Sequence, residues 1–232
     1  MNLVGSNASG ERSNVIEILL ERYRNRDSRS DGNAKNLPFL DDLVPAISPI
    51  AAIISCSDTR MEPSRVFELY PGEVFSIRNI ANLVPLHSRR NYPCETAAGL
   101  EFAVKILRVP HIVVLGHSNC MGIHTMMELP YFSANDSEVD RWVRQAKPIC
   151  EYLENISHRL PLETREKNCE QASIRLSLSR LTTYPWIRTR VETNQLVLHG
   201  WYFDFSEDEL FRFDPDSECF IRDARVKKAK ST

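Results

Sequence analysis

The sequence has little net charge of either sign and no long apolar run. Its 29 lysines and arginines nearly balance its 31 aspartates and glutamates, so the formal net charge is −2. This balance gives no electrostatic reason to expect nucleic acid as a partner. No stretch approaches the ~20 apolar residues that cross a bilayer, and the N-terminal segment MNLVGSNASGERSN contains no apolar signal-peptide core. We therefore expect a cytoplasmic protein that binds neither nucleic acid nor membranes.

Paired cysteines and the common enzyme signatures are also missing. The six cysteines are scattered over 232 residues without a CxxC pair, which disfavours a disulfide framework and a structural zinc knuckle. The sequence contains no HExxH, Walker loop or GxGxxG, no deaminase signature, no internal repeat and no low-complexity tract. Reduced thiols are expected, and any metal or nucleophilic chemistry must come from another arrangement.

Strand-like and helix-like segments alternate in the middle of the chain. Short β-branched or aromatic runs predict strands at 50–55, 73–78 and 111–116, and the segment between the second and third has helical spacing. Strand–helix–strand order indicates parallel strands joined by right-handed crossovers. The fold class is therefore α/β, with a mostly parallel central β-sheet flanked by helices.

The two ends of the chain extend this core. An amphipathic helix is predicted near 12–25, and two charged helices fall between Ser137 and Leu181, separated near Pro161. A short helix begins at Pro185. Runs at 195–205 and 209–214 predict an antiparallel hairpin at the sheet edge. We interpret the chain as one domain over 1–232, which divides into an N-terminal helical arm and loop (1–49), an α/β core (50–215) that carries the candidate site described below, and a C-terminal tail (216–232).

Chemistry-bearing side chains follow two of the predicted strands. Cys56, Asp58 and Arg60 leave the first strand at a spacing of two, so an extended chain would place them on one side. His117 and Cys120 follow the third strand, where the chain turns into the helix CMGIHTMME. If the two strands are neighbours, both groups emerge at the carboxyl edge of the sheet, where open α/β folds place their sites.

Two sulfurs and one imidazole are a donor set that suits tetrahedral zinc. Three protein ligands, Cys56, His117 and Cys120, would leave a fourth position open, which is the pattern of a catalytic site. Either a water or Asp58 fills that position, and Arg60 keeps the Asp58 carboxylate ionised. The sequence therefore predicts bound Zn²⁺ beside a catalytic acid and its counter-ion.

The motifs CSDTR, FSIRNIAN, HSNC and LHGWYFD together resemble the β-class carbonic anhydrases, and the resemblance runs from Ile50 to Phe213. It implies zinc held by the two cysteines and the histidine, with Asp58 and Arg60 as the catalytic dyad. The implied reaction is reversible hydration of carbon dioxide to bicarbonate and a proton, by attack of zinc-bound hydroxide. Asp58 would be the fourth zinc ligand only in a closed state.

The resemblance also implies an obligate homodimer, often paired into tetramers, whose N-terminal helix packs on the partner subunit. Phe75 and Phe102 match positions that form an apolar carbon dioxide pocket in the plant-like branch, although ordinary core or interface aromatics would look the same. Two departures concern the site. Met121 stands where a glycine usually follows the second zinc cysteine, and Ile47 stands where the plant-like branch has a bicarbonate-binding glutamine.

Two alternatives stay open at this stage. The same zinc site could act on another linear electrophile, carbonyl sulfide or carbon disulfide, and the sequence does not separate these substrates from carbon dioxide. The chain could also be a non-catalytic, zinc-stabilised interaction protein. Met121 and Ile47 favour that second alternative, whereas the Asp58 and Arg60 pair argues against it, because a structural zinc does not need the pair.

Overall fold

A single mixed β-sheet carries the architecture. The computed structural model describes residues 12–24, 49–87, 94–128, 137–157 and 159–223. In that part of the chain six strands run in the order β2-β1-β3-β4-β5-β6. The strands are β1 Ala51–Cys56, β2 Val74–Asn79, β3 His111–His117, β4 Val197–Asp204, β5 Glu209–Asp214 and β6 Cys219–Asp223. The first four in chain order pair in parallel, and β4, β5 and β6 pair antiparallel.

Helices connect and flank these strands. They are α1 Arg12–Arg24, α2 Pro63–Val66, α3 Glu95–Glu101, α4 Met121–Glu128, α5 Glu138–Val143, α6 Lys147–Ser157, α7 Leu162–Leu181 and α8 Pro185–Glu192. A 3₁₀ turn at Ile80–Asn82 follows β2, and a π-helical segment at Phe102–Ile106 continues α3. Within the described ranges, no helix combines the length and the apolar character that a membrane span requires.

The two central strands have the burial that their composition predicts. Every residue of β1 and of β3 is buried, as expected for strands covered by helices on both faces. The strands are direct neighbours, with Ser55 opposite Leu115. Since both run in the same direction, Cys56 and His117 leave the sheet at the same edge. The sequence analysis assumed that these two strands are neighbours, and the structure confirms it.

Helix α7 lies close against the sheet because two strand positions lack a side chain. A Cβ at Gly116 would stand 2.7 Å from the Ile174 side chain, and one at Gly200 would stand 2.8 Å from that of Leu178. Both distances are shorter than packed carbon atoms tolerate. The two glycines thus let α7 approach β3 and β4, which brings this helix to the edge where the candidate ligands emerge.

Helix α1 packs on the opposite face of the sheet. Leu19, Leu20 and Tyr23 are buried in a cluster with Trp201 and Phe203. The end of the helix is tied to the last strand, because Arg24 donates to both carboxylate oxygens of Asp223, at 2.7 and 3.2 Å. The helix predicted near 12–25 is confirmed. Its packing on a partner subunit stays a prediction, since the structure contains one chain.

Two details differ from the sequence-based expectation. The antiparallel hairpin is confirmed, but a third strand, β6, extends it within the stretch that we interpreted as a tail. The prediction of two helices between Ser137 and Leu181 was wrong, because α5, α6 and α7 occupy this region. The helical structure is interrupted between α5 and α6, at Gln145. The backbone carbonyl and side-chain oxygen of this residue accept hydrogen bonds from buried Arg180 at 2.5 and 3.1 Å. A long-range contact of this kind leaves no mark on local helical spacing.

Candidate metal centre

The three predicted ligands meet in one buried cluster. Cys56 is the last residue of β1, His117 is the last residue of β3, and Cys120 directly precedes α4. Their donor atoms all lie within 4.8 Å of one another, and the two sulfurs are 3.9 Å apart. Two sulfurs that each lie ~2.3 Å from one tetrahedral zinc would be separated by ~3.8 Å. The spacing of the thiols therefore matches a shared zinc ion.

The histidine is oriented as a metal ligand. Nδ1 of His117 lies 2.9 Å from the Ser118 carbonyl oxygen, so it carries the proton and donates. Nε2 is then an acceptor, and it is buried without a hydrogen-bond partner among the described residues. A carbonyl that fixes the tautomer of a ligating histidine is a recurrent feature of zinc sites. The orphaned nitrogen beside two thiols fits a zinc ion.

The two thiols have unequal acidity. The hydrogen bond from Cys120 lowers the pKa of Cys56, and the amide of Asp58 adds a weaker contact to the same sulfur at 3.4 Å. That shared bond and burial raise the pKa of Cys120. The bond between the two sulfurs therefore favours a state in which the pair shares one proton before a metal binds.

Asp58 and Arg60 form a tight pair at the mouth of the cluster. The guanidinium donates to both carboxylate oxygens, with Nε 3.0 Å from Oδ1 and Nη2 2.7 Å from Oδ2. These bonds, together with the backbone amide of Arg60, lower the pKa of Asp58 to about 2. The carboxylate is therefore ionised throughout the physiological range. Both carboxylate oxygens of Asp58 are directed at Arg60. The role of Asp58 as a fourth zinc ligand in a closed state therefore stays a prediction.

The route by which Asp58 and Arg60 meet differs from our expectation. An extended strand would have placed them on one side by simple alternation, but the chain turns after β1. The backbone amide of Arg60 donates to Oδ1 of Asp58 at 2.9 Å, and the amide of Met61 donates to the Asp58 carbonyl at 3.0 Å. An aspartate that caps its own turn in this way is a common turn device. The turn, rather than the pleat of the strand, brings the pair together.

Arg78 supports the same turn from β2. Its guanidinium donates to the carbonyl oxygens of Cys56, Asp58 and Met61, at 3.2, 3.0 and 2.8 Å respectively, and it forms a salt bridge with Glu62. Sequence reasoning did not find this role. The only available signal was its place in the FSIRNIAN motif, because nothing local to residue 78 indicates a contact with the loop after β1.

A second supporting residue comes from helix α7. Glu170 is buried, with Oε1 2.8 Å from the Cys120 amide nitrogen and Oε2 2.8 Å from the Tyr202 hydroxyl. Burial raises the pKa of this carboxyl group, and the two hydrogen bonds oppose the shift. The residue lies in a charged helical stretch, where a glutamate is ordinarily solvent-exposed. No motif or spacing around position 170 distinguishes this glutamate from its neighbours.

Comparison with known proteins identifies the family. A family model described as carbonic anhydrase matches residues 51–210. The chain is 37% identical over 199 residues to β carbonic anhydrase 5, chloroplastic, of Arabidopsis thaliana, covering 81% of this chain and 65% of the relative. It is 40% identical over 189 residues to β carbonic anhydrase 6, mitochondrial, of the same plant, covering 79% of this chain and 64% of that protein.

The chain belongs to the β-carbonic anhydrase family. Structures of two tetrameric β-carbonic anhydrases from the filamentous ascomycete Sordaria macrospora agree, with a TM-score of 0.68 at 26% identity, over 81% of this chain and 90% of the other. The predicted α/β fold is confirmed with the family. The chain spans slightly less than two thirds of the length of the two Arabidopsis relatives.

The two phenylalanines that the family resemblance assigned to a carbon dioxide pocket lie against each other. Their rings stack with centroids 5.7 Å apart. Phe75 lines a cleft of about 640 Å³ that also includes Ser57, which directly follows Cys56. Phe102 is 46% exposed. Phe75 lies opposite Ala52, four residues before Cys56 on β1, and the contact of the two rings with substrate stays a prediction.

The departures from the family pattern at Met121 and Ile47 have different outcomes. Met121 is the first residue of α4 and 65% exposed, so its side chain extends outward and the turn accommodates it. The position that requires a glycine is the next one, because a Cβ on Gly122 would stand 2.8 Å from Cγ2 of Ile80 and 3.3 Å from the amide of Ala81. Ile47 lies outside the described residues.

Proposed function

We propose that the chain catalyses the zinc-dependent, reversible hydration of carbon dioxide to bicarbonate and a proton. The observation that supports this most is the buried sulfur–sulfur–nitrogen cluster with the ionised Asp58–Arg60 pair beside it. Zinc has the right donors there, and its catalytic contribution when bound is to lower the pKa of a coordinated water to about 7. Membership of the family agrees with this reaction.

The protein side of the reaction follows from the geometry. A carboxylate whose pKa is about 2 does not take up a proton near neutral pH, so Asp58 acts by accepting a hydrogen bond. An acceptor of that kind orients the hydrogen of the attacking oxygen and turns its lone pair toward the substrate. Arg60 fixes the carboxylate, and its planar fork holds it in one orientation. The chain thus supplies the ligands for the metal and the group that orients the attacking oxygen.

Carbon dioxide hydration followed by stopped-flow tests the proposal. Cys56→Ala removes a ligand, so we expect zinc content and activity to be lost together. Asp58→Asn keeps the ligands but weakens the ion pair, so we expect normal zinc content with activity reduced about 100-fold or more. Full activity in both variants would refute the proposal.

The alternatives have less support. A structural zinc site does not need an ionised acid and its arginine at the open side, so the intact pair disfavours a non-catalytic interaction protein. Hydrolysis of carbonyl sulfide or carbon disulfide would use the same candidate ligands and the same Asp58–Arg60 pair. No contact in the described residues favours these substrates over carbon dioxide. Measuring sulfide release beside carbon dioxide hydration distinguishes these substrates directly.

We also propose a homodimer that can pair into a tetramer. The two Sordaria proteins are tetrameric, and several apolar side chains near the cleft are exposed in the single chain, among them Phe102 and Ile106 at 46% and 66%. Exposed apolar groups of this size are typical of a subunit interface. Light scattering coupled to size exclusion should give two or four times the chain mass of 26.7 kDa, and a stable monomer would contradict the proposal.

For location we propose the cytoplasm. Thiolates that bind zinc must remain reduced, and the cytosol maintains that state. The two Arabidopsis relatives are named for the chloroplast and the mitochondrion, so compartments vary within the family. Fractionation of cells expressing the full chain, with compartment markers, tests this directly. Recovery in an organelle fraction would refute it.

A further inference from the structure

The loop from Ser118 to Cys120, which follows one candidate ligand and ends at another, is held at each residue by a different part of the fold. The amide of Ser118 donates to the Phe203 carbonyl at 2.9 Å, and its hydroxyl accepts from the amide of Phe205 at 2.8 Å. The carbonyl of Asn119 accepts from Arg60. At Cys120 the long-range contact is the bond from its amide to Glu170.

Glu170 differs from the other anchors because it is a buried acidic side chain that uses both of its oxygens. The carboxyl group bridges the ligand loop to β4, since Oε1 accepts from the Cys120 amide and Oε2 accepts from the Tyr202 hydroxyl. Its own helix is set against the sheet by the missing side chains of Gly116 and Gly200. The position of the carboxyl group is therefore fixed by the packing of its helix and by its two hydrogen bonds.

We propose that Glu170 is a positioning residue for the metal centre, which acts through Cys120. By holding the amide of this cysteine, it sets the direction in which the sulfur enters the cluster, so that sulfur, sulfur and nitrogen are arranged before a metal arrives. Pre-arranged ligands bind a metal more tightly than ligands that must be ordered on binding. The inference rests on the proposed zinc site and adds a residue that does not itself ligate.

Two conservative variants separate positioning from charge. Glu170→Gln keeps the length, and its amide oxygen can still accept from Cys120 while its nitrogen donates to the Tyr202 hydroxyl. Glu170→Asp keeps the acid but is shorter by one carbon–carbon bond, ~1.5 Å, so it cannot bridge both partners from the same helix. Positioning predicts that Gln preserves the site and Asp impairs it. A purely electrostatic role predicts the reverse.

The primary measurement is the zinc dissociation constant by chelator competition. We expect Glu170→Asp to raise it about 10-fold or more, and Glu170→Gln to stay within about 3-fold of the parent chain. Visible absorption of the cobalt(II)-substituted proteins reports coordination geometry, and it should change in the Asp variant only. Melting of the metal-free proteins is measured in parallel, because a role in general stability alone would leave the cobalt spectrum unchanged.

Glu166→Gln is the matched control. Glu166 lies one turn earlier on α7 and contacts His124 at 2.7 Å rather than a candidate ligand, so zinc affinity and cobalt spectrum should not change. A Glu170→Asp chain that binds zinc like the parent, or a Glu170→Gln chain that loses as much affinity as the Asp variant, would overturn the inference. If the parent chain binds no zinc, the proposed function fails as well. If the parent chain binds zinc and hydrates carbon dioxide, failure of the variants affects this inference alone.

Discussion

Arg60 and Asn119 are separated by 59 residues, yet the guanidinium of Arg60 donates to the Asn119 carbonyl oxygen at 2.8 Å. The same guanidinium holds both oxygens of Asp58. It also lies 5.0 Å from the ring centre of Phe205, whose ring packs on His117. One side chain thus connects the loop after β1 with the loop after β3. Orientation of the acid and placement of the candidate metal ligands are therefore coupled.

This coupling predicts a specific defect in Arg60→Lys. A lysine keeps the positive charge but cannot present the fork that binds both carboxylate oxygens and a carbonyl together. We expect kcat/KM for carbon dioxide hydration to fall about 100-fold with zinc content unchanged. Stopped-flow kinetics and metal analysis on the same samples measure both quantities. Arg188→Lys, an exposed change on α8, is the control and should behave like the parent chain. Unimpaired turnover in Arg60→Lys would show that charge alone is sufficient.

The candidate metal ligands give a second prediction, for Cys120→Ser. Serine retains a small polar side chain but replaces a thiolate by a poor zinc ligand. We expect about one zinc per chain in the parent protein, almost none in the variant, and loss of activity with the metal. Cys219→Ser changes an exposed cysteine and should leave both quantities as they are. Retention of zinc by the Cys120 variant would show that the metal is held elsewhere.

The ligand cluster could be predicted from the sequence because two regularities converge on it. Buried parallel strands have a clear apolar signature, and parallel neighbours end at the same edge. Cys56 and His117 are the last residues of two such strands. Their positions at the sheet edge therefore follow from the local apolar pattern and from the assumption that β1 and β3 are adjacent, which the structure confirms. The fold class and the strand boundaries follow from the same signature.

The supporting groups could not be predicted for a corresponding reason. Glu170 and Arg78 act across 50 and 17–22 residues of sequence, and each occupies a position that is unremarkable in its own segment. The break at Gln145 depends on a buried arginine from another helix. Such contacts are properties of the assembled fold, and neither periodicity nor spacing encodes them. The turn at Asp58 is different, because an aspartate followed by Thr59 and Arg60 is a recognisable turn sequence that we interpreted as extended.

Close packing beside the metal centre predicts different outcomes for two glycine variants. Gly122→Ala would press a methyl group against the side chain of Ile80 and the backbone of Ala81, so the first turn of α4 must shift. We expect a loss of about 1–3 kcal/mol in the free energy of unfolding, with reduced zinc affinity because Cys120 adjoins this turn. Denaturant unfolding and chelator competition measure the two effects.

The matched comparison is Gly99→Ala. There the nearest atoms are at 3.2 Å and belong to the Ile77 side chain, which needs to shift by only a few tenths of an ångström. Alanine also has the better helix propensity. We therefore expect a smaller change in stability and none in zinc affinity. Equal losses in the two variants would mean that the packing at Ile80 and Ala81 is not tight.

A pair of histidines on the neighbouring strands β3 and β4 predicts how stability depends on pH. Nδ1 of His111 lies 3.2 Å from Nε2 of His199, and burial, together with His111 and nearby Arg212, lowers the pKa of His199 from 6.5 to about 3. Between these values the unfolded chain binds a proton that the folded chain does not, so stability must fall as the pH falls from about 6.5 toward 3. Above that window His199 is neutral in both states and contributes no pH dependence.

His199→Gln removes this titration while keeping a polar partner for His111, so the difference between parent and variant reports the titration of the histidine pair. The ceiling for one proton is about 1.4 kcal/mol per pH unit, and we expect somewhat less because the side chain is only half-buried. Urea unfolding at a series of pH values from 7.5 to 5 should therefore give a steeper decline for the parent chain than for the variant, with parallel curves above pH 7. Curves that stay parallel down to pH 5 would show that His199 can accept a proton in the folded protein without cost, through water or a rearranged contact with His111.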